Sequence, residues 1–372
     1  MLTALLALGI MFGVTEAAVG FYRTKQSQLA QMWFERGSGA LSRQQAKEAI
    51  QDFRNALNYA PDDSTYQLRL AQAFAAANRI EAAESYLFNL WSSQPGGGEI
   101  NLELAQLEAR KGNPDAARYF ENAIYGVWES HPEEHRWQAR MQLFQFYRSI
   151  GNTGQAQAEL LAMAADTPGS DYRRQTQIGQ LQLEAGNPRQ ALQQFRSALR
   201  VNRRYAPAFA GAGAAEFNIR EYQNALPYLE TAVRLDPKDH EVAAQLKMTR
   251  LVIESDPFPI GLSDRERTER TLDAYLQAFS ALSDCATTRA IVVVGSTPQN
   301  PLQESWALGQ QQMALMPHFR GQSQTVLKIM NFVFSAEDLA ATECGPLQGK
   351  DQALWLIGKM HQLAESSGHH GD

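Results

Sequence analysis

The stretch AIQDFRNALNYAP at residues 49–61 has alanine, phenylalanine, alanine and proline at its first, fifth, eighth and thirteenth positions. Matching small or apolar residues and a proline recur 34 residues later in AESYLFNLWSSQP at 83–95, and again in ALPYLETAVRLDP at 225–237. A period of roughly 20 to 50 residues is typical of repeat arrays, in which each unit packs only on its neighbours. We therefore expect a series of stacked units between these segments.

Further copies of this pattern begin near Ala30, Trp137 and Ala206, and another lies between the last two. The copy at 98–127 is degenerate because its markers fall one residue early, and the insertion WESHPEEHR follows it at 128–136. The pattern resembles the tetratricopeptide repeat, a pair of antiparallel helices whose second helix ends at a proline. The resemblance implies an all-α fold, a right-handed superhelix of about six helix-turn-helix repeats with a concave groove.

The residue types at the markers have a packing role. Small residues such as Ala49, Ala156 and Ala225 let two helices approach closely. Large residues such as Phe53 and Phe195 are then expected to fill the space between adjacent helix pairs.

Residues 2–22, LTALLALGIMFGVTEAAVGFY, are apolar except for Glu16 and have about the length that crosses a bilayer. This predicts an N-terminal membrane anchor within 1–25. A cleaved signal peptide is an alternative, with 5–14 as its apolar region, although the basic start that is usual in signal peptides is missing. An ordinary buried helix is the third interpretation.

The side of the membrane depends on two opposing signals. Arg23 and Lys25 follow the apolar segment, and the positive-inside rule would then keep the main body in the cytoplasm. A disulfide between the two cysteines would instead place the body in an oxidising compartment. We expect the second arrangement, a bacterial-type cell-envelope protein whose soluble part is extracytoplasmic, on the periplasmic side.

Positions five and nine of each first helix face the groove in the family, where some members clamp a peptide carboxylate with lysine and asparagine. Here these positions hold other pairs: Phe34 and Ser38, Leu68 and Gln72, Met141 and Gln145, Thr176 and Gln180, Ala210 and Ala214. The resemblance therefore implies a peptide bound through pockets and backbone hydrogen bonds, without that clamp. The candidate partner-binding residues are Phe34, Leu68, Arg69, Gln72, Met141, Gln145, Arg148, Arg173, Gln177 and Gln180. A solvated groove without a ligand is the alternative.

The sequence after Pro237 has helical periodicity but does not repeat. Apolar stripes predict helices over 240–254, 263–282, 302–316, 323–343 and 350–365, the second of them starting with the capping box Ser263 to Glu266. Ile291 to Val294 is interpreted as a buried extended connector, because a lone strand has no partner. The predicted domains are an anchor or signal segment at 1–25, a repeat solenoid at 26–239, a capping helix at 240–256, a C-terminal helical domain at 257–366 and a disordered tail at 367–372.

The chain has two cysteines, too few for a disulfide scaffold or a four-thiolate zinc site. Cys285 and Cys344 each close a predicted helix and precede a turn, so both can lie at one end of a helical bundle. One disulfide between them is therefore a candidate. Two buried reduced cysteines are the alternative, because cysteine is often simply part of a core.

One motif suggests metal chemistry. His131-Pro-Glu-Glu-His135 matches the H-x-x-E-H zinc-protease pattern, in which two histidines bind zinc and the glutamate activates water. The same residues also make an ordinary helix start, with Ser130 as the cap and acidic residues in the first turn. We favour the helix start, and we expect no metal and no cofactor.

Composition limits the function further. The chain has 34 basic and 40 acidic residues and a net charge of -6, which argues against nucleic acid as a partner. No phosphate-binding loop, nucleophile elbow or Cys-x-x-Cys motif is present, so an enzyme is not expected. We expect a protein-protein interaction scaffold of the cell envelope, with a protein or peptide partner and membrane attachment through the N-terminal helix. The alternative is a hydrolase or transferase with its site in the C-terminal helical domain, which paired carboxylates in a cleft there would favour.

Overall fold

The computed structural model describes residues 2–295, 297–313, 316 and 319–368, and it describes side chains at 12, 13 and 15–362 outside the same gaps. These residues form 17 helices, and the only strand-like pairing among them is one isolated bridge between Gly97 and Val127. The expectation of an all-α fold is confirmed.

The chain divides into two units, Met1–Asp166 and Thr167–Asp372, and the division falls inside the range predicted for the repeats. The helices of the first unit are α1 Leu2–Ser42, α2 Ala46–Tyr59, α3 Ser64–Ala76, α4 Ile80–Ser93, α5 Gly98–Arg110, α6 Ala116–Tyr125, α7 Pro132–Ser149 and α8 Thr153–Asp166. The helices of the second unit are α9 Tyr172–Glu184, α10 Pro188–Val201, α11 Ala206–Asn218, α12 Tyr222–Leu235, α13 His240–Ser255, α14 Asp264–Thr288, α15 Pro301–Met313, α16 Ser323–Cys344 and α17 Gly349–Gly368.

Within each unit every helix packs on the next one in the chain. The helices therefore form pairs, which begin with the C-terminal part of α1 and α2 and end with α11 and α12. We call the odd-numbered members from α1 to α11 the first helices and the even-numbered members from α2 to α12 the second helices.

The turn inside each pair contains one residue in the left-handed region of the backbone. These residues are Gln44, Asn78, Gly112, Gly151, Gly186 and Arg220, with φ between 57° and 76°. Successive members are 34, 34, 39, 35 and 34 positions apart. The long interval of 39 contains the insertion that the sequence places before α7.

The marker residues pack as predicted. Phe195 is completely buried, and a Cβ atom at Gly179 would come within 2.7 Å of its ring. A Cβ atom at Gly211, on the next first helix, would come closer still. Phe195 therefore fills the space between its own pair and the following one, and the small residues at Ala156 and Ala225 are buried beside their neighbours.

The first helix of the chain is longer than the repeat requires. α1 is continuous over 41 residues, so the segment predicted as an anchor and the first helix of the first pair are one helix. Much of the predicted anchor falls on residues 1–11 and 14, whose side chains lie outside the described ones. Phe12 and Phe21 are exposed by 67% and 73%. Across the described residues, no helix has both the length and the apolar character needed to span a membrane.

Two local expectations were wrong. The residue before α7 is His131, with φ of 43° and no side-chain cap, so Ser130 is not the cap. Pro132 fixes the first helical position instead, and Glu133 and Glu134 occupy the first turn. The connector after α14 is only half covered, because Ile291 and Val293 pack on the core whereas Val292 and Val294 are exposed. An alternating pattern on a surface segment explains this difference.

The C-terminal helices share one core with α12 and α13. α16 contacts α14, α15 and α17, and α17 also packs on α13. The predicted capping box is present at the start of α14, where Ser263 and Glu266 bind each other's backbone N–H groups. Inside the bundle, the buried Tyr275 hydroxyl donates to the Gly309 carbonyl at 2.9 Å. The structure joins Cys285 and Cys344 in a disulfide with Cα atoms 5.7 Å apart.

Candidate functional site

A polar network connects the first helices α3 and α5 of the first unit. The guanidinium of Arg69 donates to the Gln72 side-chain oxygen at 2.7 Å and lies 3.5 Å from the Glu99 carboxylate. The Gln72 amide donates to Glu103 at 2.8 Å and to Glu99 at 3.4 Å. These four side chains are partly exposed, so a bound chain can reach their remaining donors and acceptors.

The network carries one positive and two negative charges. Burial raises the pKa of Glu103, and the hydrogen bond from Gln72 opposes that rise. The neighbouring carboxylate of Glu99 raises the pKa further, while the positive charge of Arg69 lowers it. A cationic or amide group from a partner would find an excess of acceptor oxygens here.

A cleft of about 230 Å³ opens beside this network. Its lining comes from the first half of α3, the turn before α5 and the start of α5, the loop before α7 and the first turn of α7: Ser64, Thr65, Leu68, Arg69, Gln94, Gly97, Gly98, Glu99, Ile100, Val127, Trp128, Glu129, Ser130 and His135. Apolar surface from Leu68 and Trp128 thus lies next to charged and amide groups. This combination suits recognition of a peptide side chain together with its backbone.

Backbone hydrogen bonds join the loop before α7 to the start of α5, and these two segments form one wall of the cleft. The Gly98 N–H donates to the Val127 carbonyl at 2.8 Å, and the Val127 N–H donates to the Gly96 carbonyl at 2.9 Å. A Cβ atom at Gly98 would overlap the Trp128 indole, so the close approach requires glycine. The indole N–H donates to the Ala123 carbonyl at 2.9 Å, which fixes the ring.

Trp128 and His135 stack on each other with ring centroids 4.5 Å apart and an interplanar angle of 9°. Sequence reasoning did not single out Trp128, and it considered His135 only as a zinc ligand or as part of a helix start. Across the described part of the chain, no group of three or more His, Cys, Asp or Glu residues is arranged to hold a metal ion. In the sequence, only the run Gly96-Gly97-Gly98 indicates that another segment could approach this backbone closely. A glycine run ordinarily indicates only a turn, so it did not predict this wall.

The predicted groove residues of the first unit have different environments. Leu68 is buried at the floor of the cleft. Phe34 is half-buried and stacks on Tyr66 with centroids 4.7 Å apart, so it contributes to packing between repeats. Met141 is half-buried, whereas Gln145 and Arg148 are exposed on α7.

Gln145 borders a second, wider hollow on the first unit. Residues of α5, α6 and α7 line it: Gln106, Ala109, Arg110, Phe120, Gln142, Gln145, Phe146 and Ser149. Its exposed groups are mainly amides and one guanidinium, so this part of the face is hydrophilic.

The three predicted residues of the second unit lie on one side of α9. Arg173, Gln177 and Gln180 are exposed and follow the spacing of one helix face. The guanidinium of Arg173 lies 5.8 Å from the ring centre of Tyr172. The structure therefore brings together Leu68, Arg69 and Gln72 in the first unit, and the α9 residues belong to the second unit.

A buried carboxyl group lies in the C-terminal helices. Glu337 on α16 is completely buried, and neither of its carboxyl oxygens has a hydrogen-bond partner among the described residues. Burial raises the pKa of Glu337 to about 8, and the charge of Asp351 on α17 adds to the rise. Burial also raises the pKa of Asp351, which accepts a hydrogen bond from Gln277 at 2.7 Å. Because Glu337 has no exposed surface, a substrate would not reach it without separation of the helices.

Comparison with known protein families agrees with the repeat pattern. Family models described as tetratricopeptide repeat match residues 40–96 and 176–240. These matches confirm the resemblance drawn from the 34-residue period. No curated protein matches the sequence.

Several solved structures align with the repeats. The tetratricopeptide repeat protein YrrB, described as having an unusual peptide-binding site, aligns with a TM-score of 0.38 and 20% identity over 52% of this chain and 97% of its own. PilW, a type IV pilus biogenesis factor, aligns with a TM-score of 0.41 and 17% identity over 59% of this chain and 99% of its own. The C-terminal part of a repeat-containing protein from Cytophaga hutchinsonii aligns with a TM-score of 0.47 and 13% identity over 64% and 92%. Each TM-score is below 0.5, so these likenesses carry no argument about function.

Proposed function

We propose that this chain, which carries tetratricopeptide repeats, is a protein-interaction scaffold that binds an extended segment of a partner protein on the first-helix face of its first unit. The observation that carries the proposal is the network of Arg69, Gln72, Glu99 and Glu103, which spans two first helices beside the cleft. Paired donors and acceptors at the edge of a cleft with both polar and apolar lining residues match the alternation of backbone and side chain in a peptide.

A photo-crosslinking amino acid at Thr65 tests this proposal. Thr65 is exposed and lines the cleft, whereas Glu48 is exposed on the second helix α2 and provides the matched control. In native cells, irradiation should give a discrete crosslinked partner from position 65 and not from position 48. The variant Arg69→Ala should reduce that crosslink without unfolding the chain, because the Arg69 side chain is 40% exposed. Equal crosslinking from both positions would contradict the proposal.

We also propose that residues 2–22 attach the scaffold to a membrane. The support is the apolar sequence with one charge, and the exposed aromatic side chains of Phe12, Phe21 and Tyr22 on α1. Deletion of residues 2–22 should move the protein from the membrane fraction to the soluble fraction. N-terminal sequencing of the mature protein separates an anchor, which is retained, from a signal peptide, which is removed.

The side of the membrane follows from the cysteines in this proposal. Disulfides persist in oxidising compartments, so the Cys285–Cys344 bond supports an extracytoplasmic body, on the periplasmic side of a bacterial-type envelope. Both thiols should then resist labelling in cells until they are reduced, and a periplasm-active reporter fused after Asp372 should be active. Free thiols and an inactive reporter would instead support the orientation that Arg23 and Lys25 favour.

A further inference from the structure

The distribution of charge in the second unit is strongly uneven. Between residues 185 and 215 the sequence contains five arginines and no lysine, aspartate or glutamate. The arginines are Arg189, Arg196, Arg200, Arg203 and Arg204. The rest of the chain has 29 basic residues against 40 acidic ones, so this segment is a cationic island in an acidic protein.

Three of the five arginines, Arg189, Arg196 and Arg200, lie on the exposed side of α10. Arg189 and Arg200 are eleven positions apart on α10, which corresponds to three turns and about 16 Å along one face. Arg203 and Arg204 lie in the turn that follows the helix, and Arg189, Arg200, Arg203 and Arg204 are all exposed. The apolar side of α10 is buried in the repeat core, with Phe195 at its centre.

Four of the five arginines have no carboxylate partner among the described residues. Arg196 is paired, because its guanidinium lies 2.8 Å from the Glu216 carboxylate. Arg200 donates to the Ser197 hydroxyl at 2.7 Å and forms no ion pair in the described part of the chain. Nor do Arg189, Arg203 and Arg204 have an acidic partner among the described residues. We call these four unpaired residues, Arg189, Arg200, Arg203 and Arg204, the arginine stripe.

We propose that the arginine stripe binds an acidic segment of a partner protein. A guanidinium is a planar fork that binds a carboxylate through two parallel hydrogen bonds, and the Arg196–Glu216 pair shows that a carboxylate is accepted on this helix. A peptide of about six extended residues covers roughly 20 Å, enough to span the roughly 16 Å between Arg189 and Arg200 along α10. This surface lies on a second helix of the second unit and is independent of the site on the first unit.

Two other polyanions fit the surface less well. A membrane-surface helix inserts apolar side chains below the headgroups, but the apolar residues of α10, Leu192 and Phe195 among them, are buried in the protein. A nucleic acid or a bilayer also extends beyond the stripe and would meet the acidic remainder of the chain, which repels it. A short acidic segment is confined to the stripe and avoids that repulsion.

Fluorescence anisotropy with the full chain tests the proposal. The probe is a labelled eight-residue peptide with six aspartate or glutamate residues, compared with the same peptide in which amides replace the carboxylates. The test variant carries Arg189→Gln, Arg200→Gln, Arg203→Gln and Arg204→Gln. The control variant carries Arg43→Gln, Arg54→Gln, Arg79→Gln and Arg118→Gln, four exposed arginines of the first unit. Both variants change the net charge from -6 to -10.

We expect the acidic probe to bind the parent chain in a salt-sensitive manner and the amide probe to bind at least about tenfold more weakly. The stripe variant should weaken binding of the acidic probe by about tenfold or more, and the control variant by less than about twofold. If both variants weakened binding equally, net charge alone would explain the loss, and the proposal would be overturned. Absence of binding to the acidic probe would overturn it too, as would tighter binding to phosphatidylglycerol vesicles or to a single-stranded RNA homopolymer.

Discussion

The contact between Phe195 and Gly211 provides a quantitative test of the repeat register. Phe195 is completely buried, and truncation to alanine should cost about 3 to 5 kcal/mol of unfolding free energy, as for other buried phenylalanines. Gly211→Ala should also be destabilising, by about 1 to 3 kcal/mol, because the new Cβ atom would overlap the Phe195 ring. The ring is completely buried, and an added Cβ atom at Gly179 would also come within 2.7 Å of it, so it is closely surrounded.

The double variant separates this mechanism from a general loss of stability. Once Phe195→Ala has removed the ring, a Cβ atom at Gly211 enters free space, and alanine is a better helix former than glycine by about 1 kcal/mol. Gly211→Ala should therefore become neutral or stabilising in that background. The two substitutions should then be non-additive by about 1 to 4 kcal/mol.

Urea unfolding of the full chain, followed by helical circular dichroism, measures these free energies. Gln193→Ala is the matched control, because Gln193 is exposed on the same helix and should change the free energy by less than about 0.5 kcal/mol. A loss below about 1 kcal/mol for Phe195→Ala would refute the register. The same cost of Gly211→Ala in both backgrounds would refute the contact.

Three further predictions follow from single features. Gln44 has φ of 62°, so Gln44→Gly should raise the unfolding free energy by about 1 kcal/mol in urea titrations. The Cys285–Cys344 disulfide closes a separation of 59 residues, so replacing both cysteines by alanine should cost about 4 kcal/mol relative to the disulfide-bonded parent, and the reduced parent, the control, should lose about as much. The raised pKa of Glu337, about 8 against 4.5 in the unfolded chain, makes stability fall as pH rises through that window. Glu337→Gln should flatten this slope in melting curves and add a few kcal/mol at pH 8, about 5 at most.

The repeats were predictable because each pair solves the same packing problem with the same residue types. Alanine at Ala156 and Ala225 and the large ring at Phe195 recur at a fixed period, and the structure buries them. The left-handed residue in each turn was harder to predict from the sequence. Glycine indicates the left-handed position at Gly186, but Arg220 occupies the equivalent position with φ of 67°, where composition indicates nothing.

The candidate site was only partly predictable. The family resemblance implied Leu68, Arg69 and Gln72 as groove residues. In the structure Leu68 and Arg69 line one cleft, and Gln72 accepts a hydrogen bond from Arg69 beside it. Glu99 and Glu103 were missed, because their role depends on how α5 packs against α3 in the degenerate third repeat. A pattern defined by the average repeat carries no information about residues in a copy that departs from it.

The departure from the period is itself a physical reason for a site at this position. Regular repeats bury their apolar stripes against similar neighbours, whereas the 39-residue interval between Gly112 and Gly151 adds a loop that the regular repeat lacks. Bonds between that loop and the start of α5 place Trp128 next to Gly98, where both residues line the cleft. The same insertion that weakened the repeat signal in the sequence therefore supplies the apolar wall beside Arg69. In an array whose units otherwise resemble each other, such an insertion distinguishes one stretch of the surface and gives a partner a defined position.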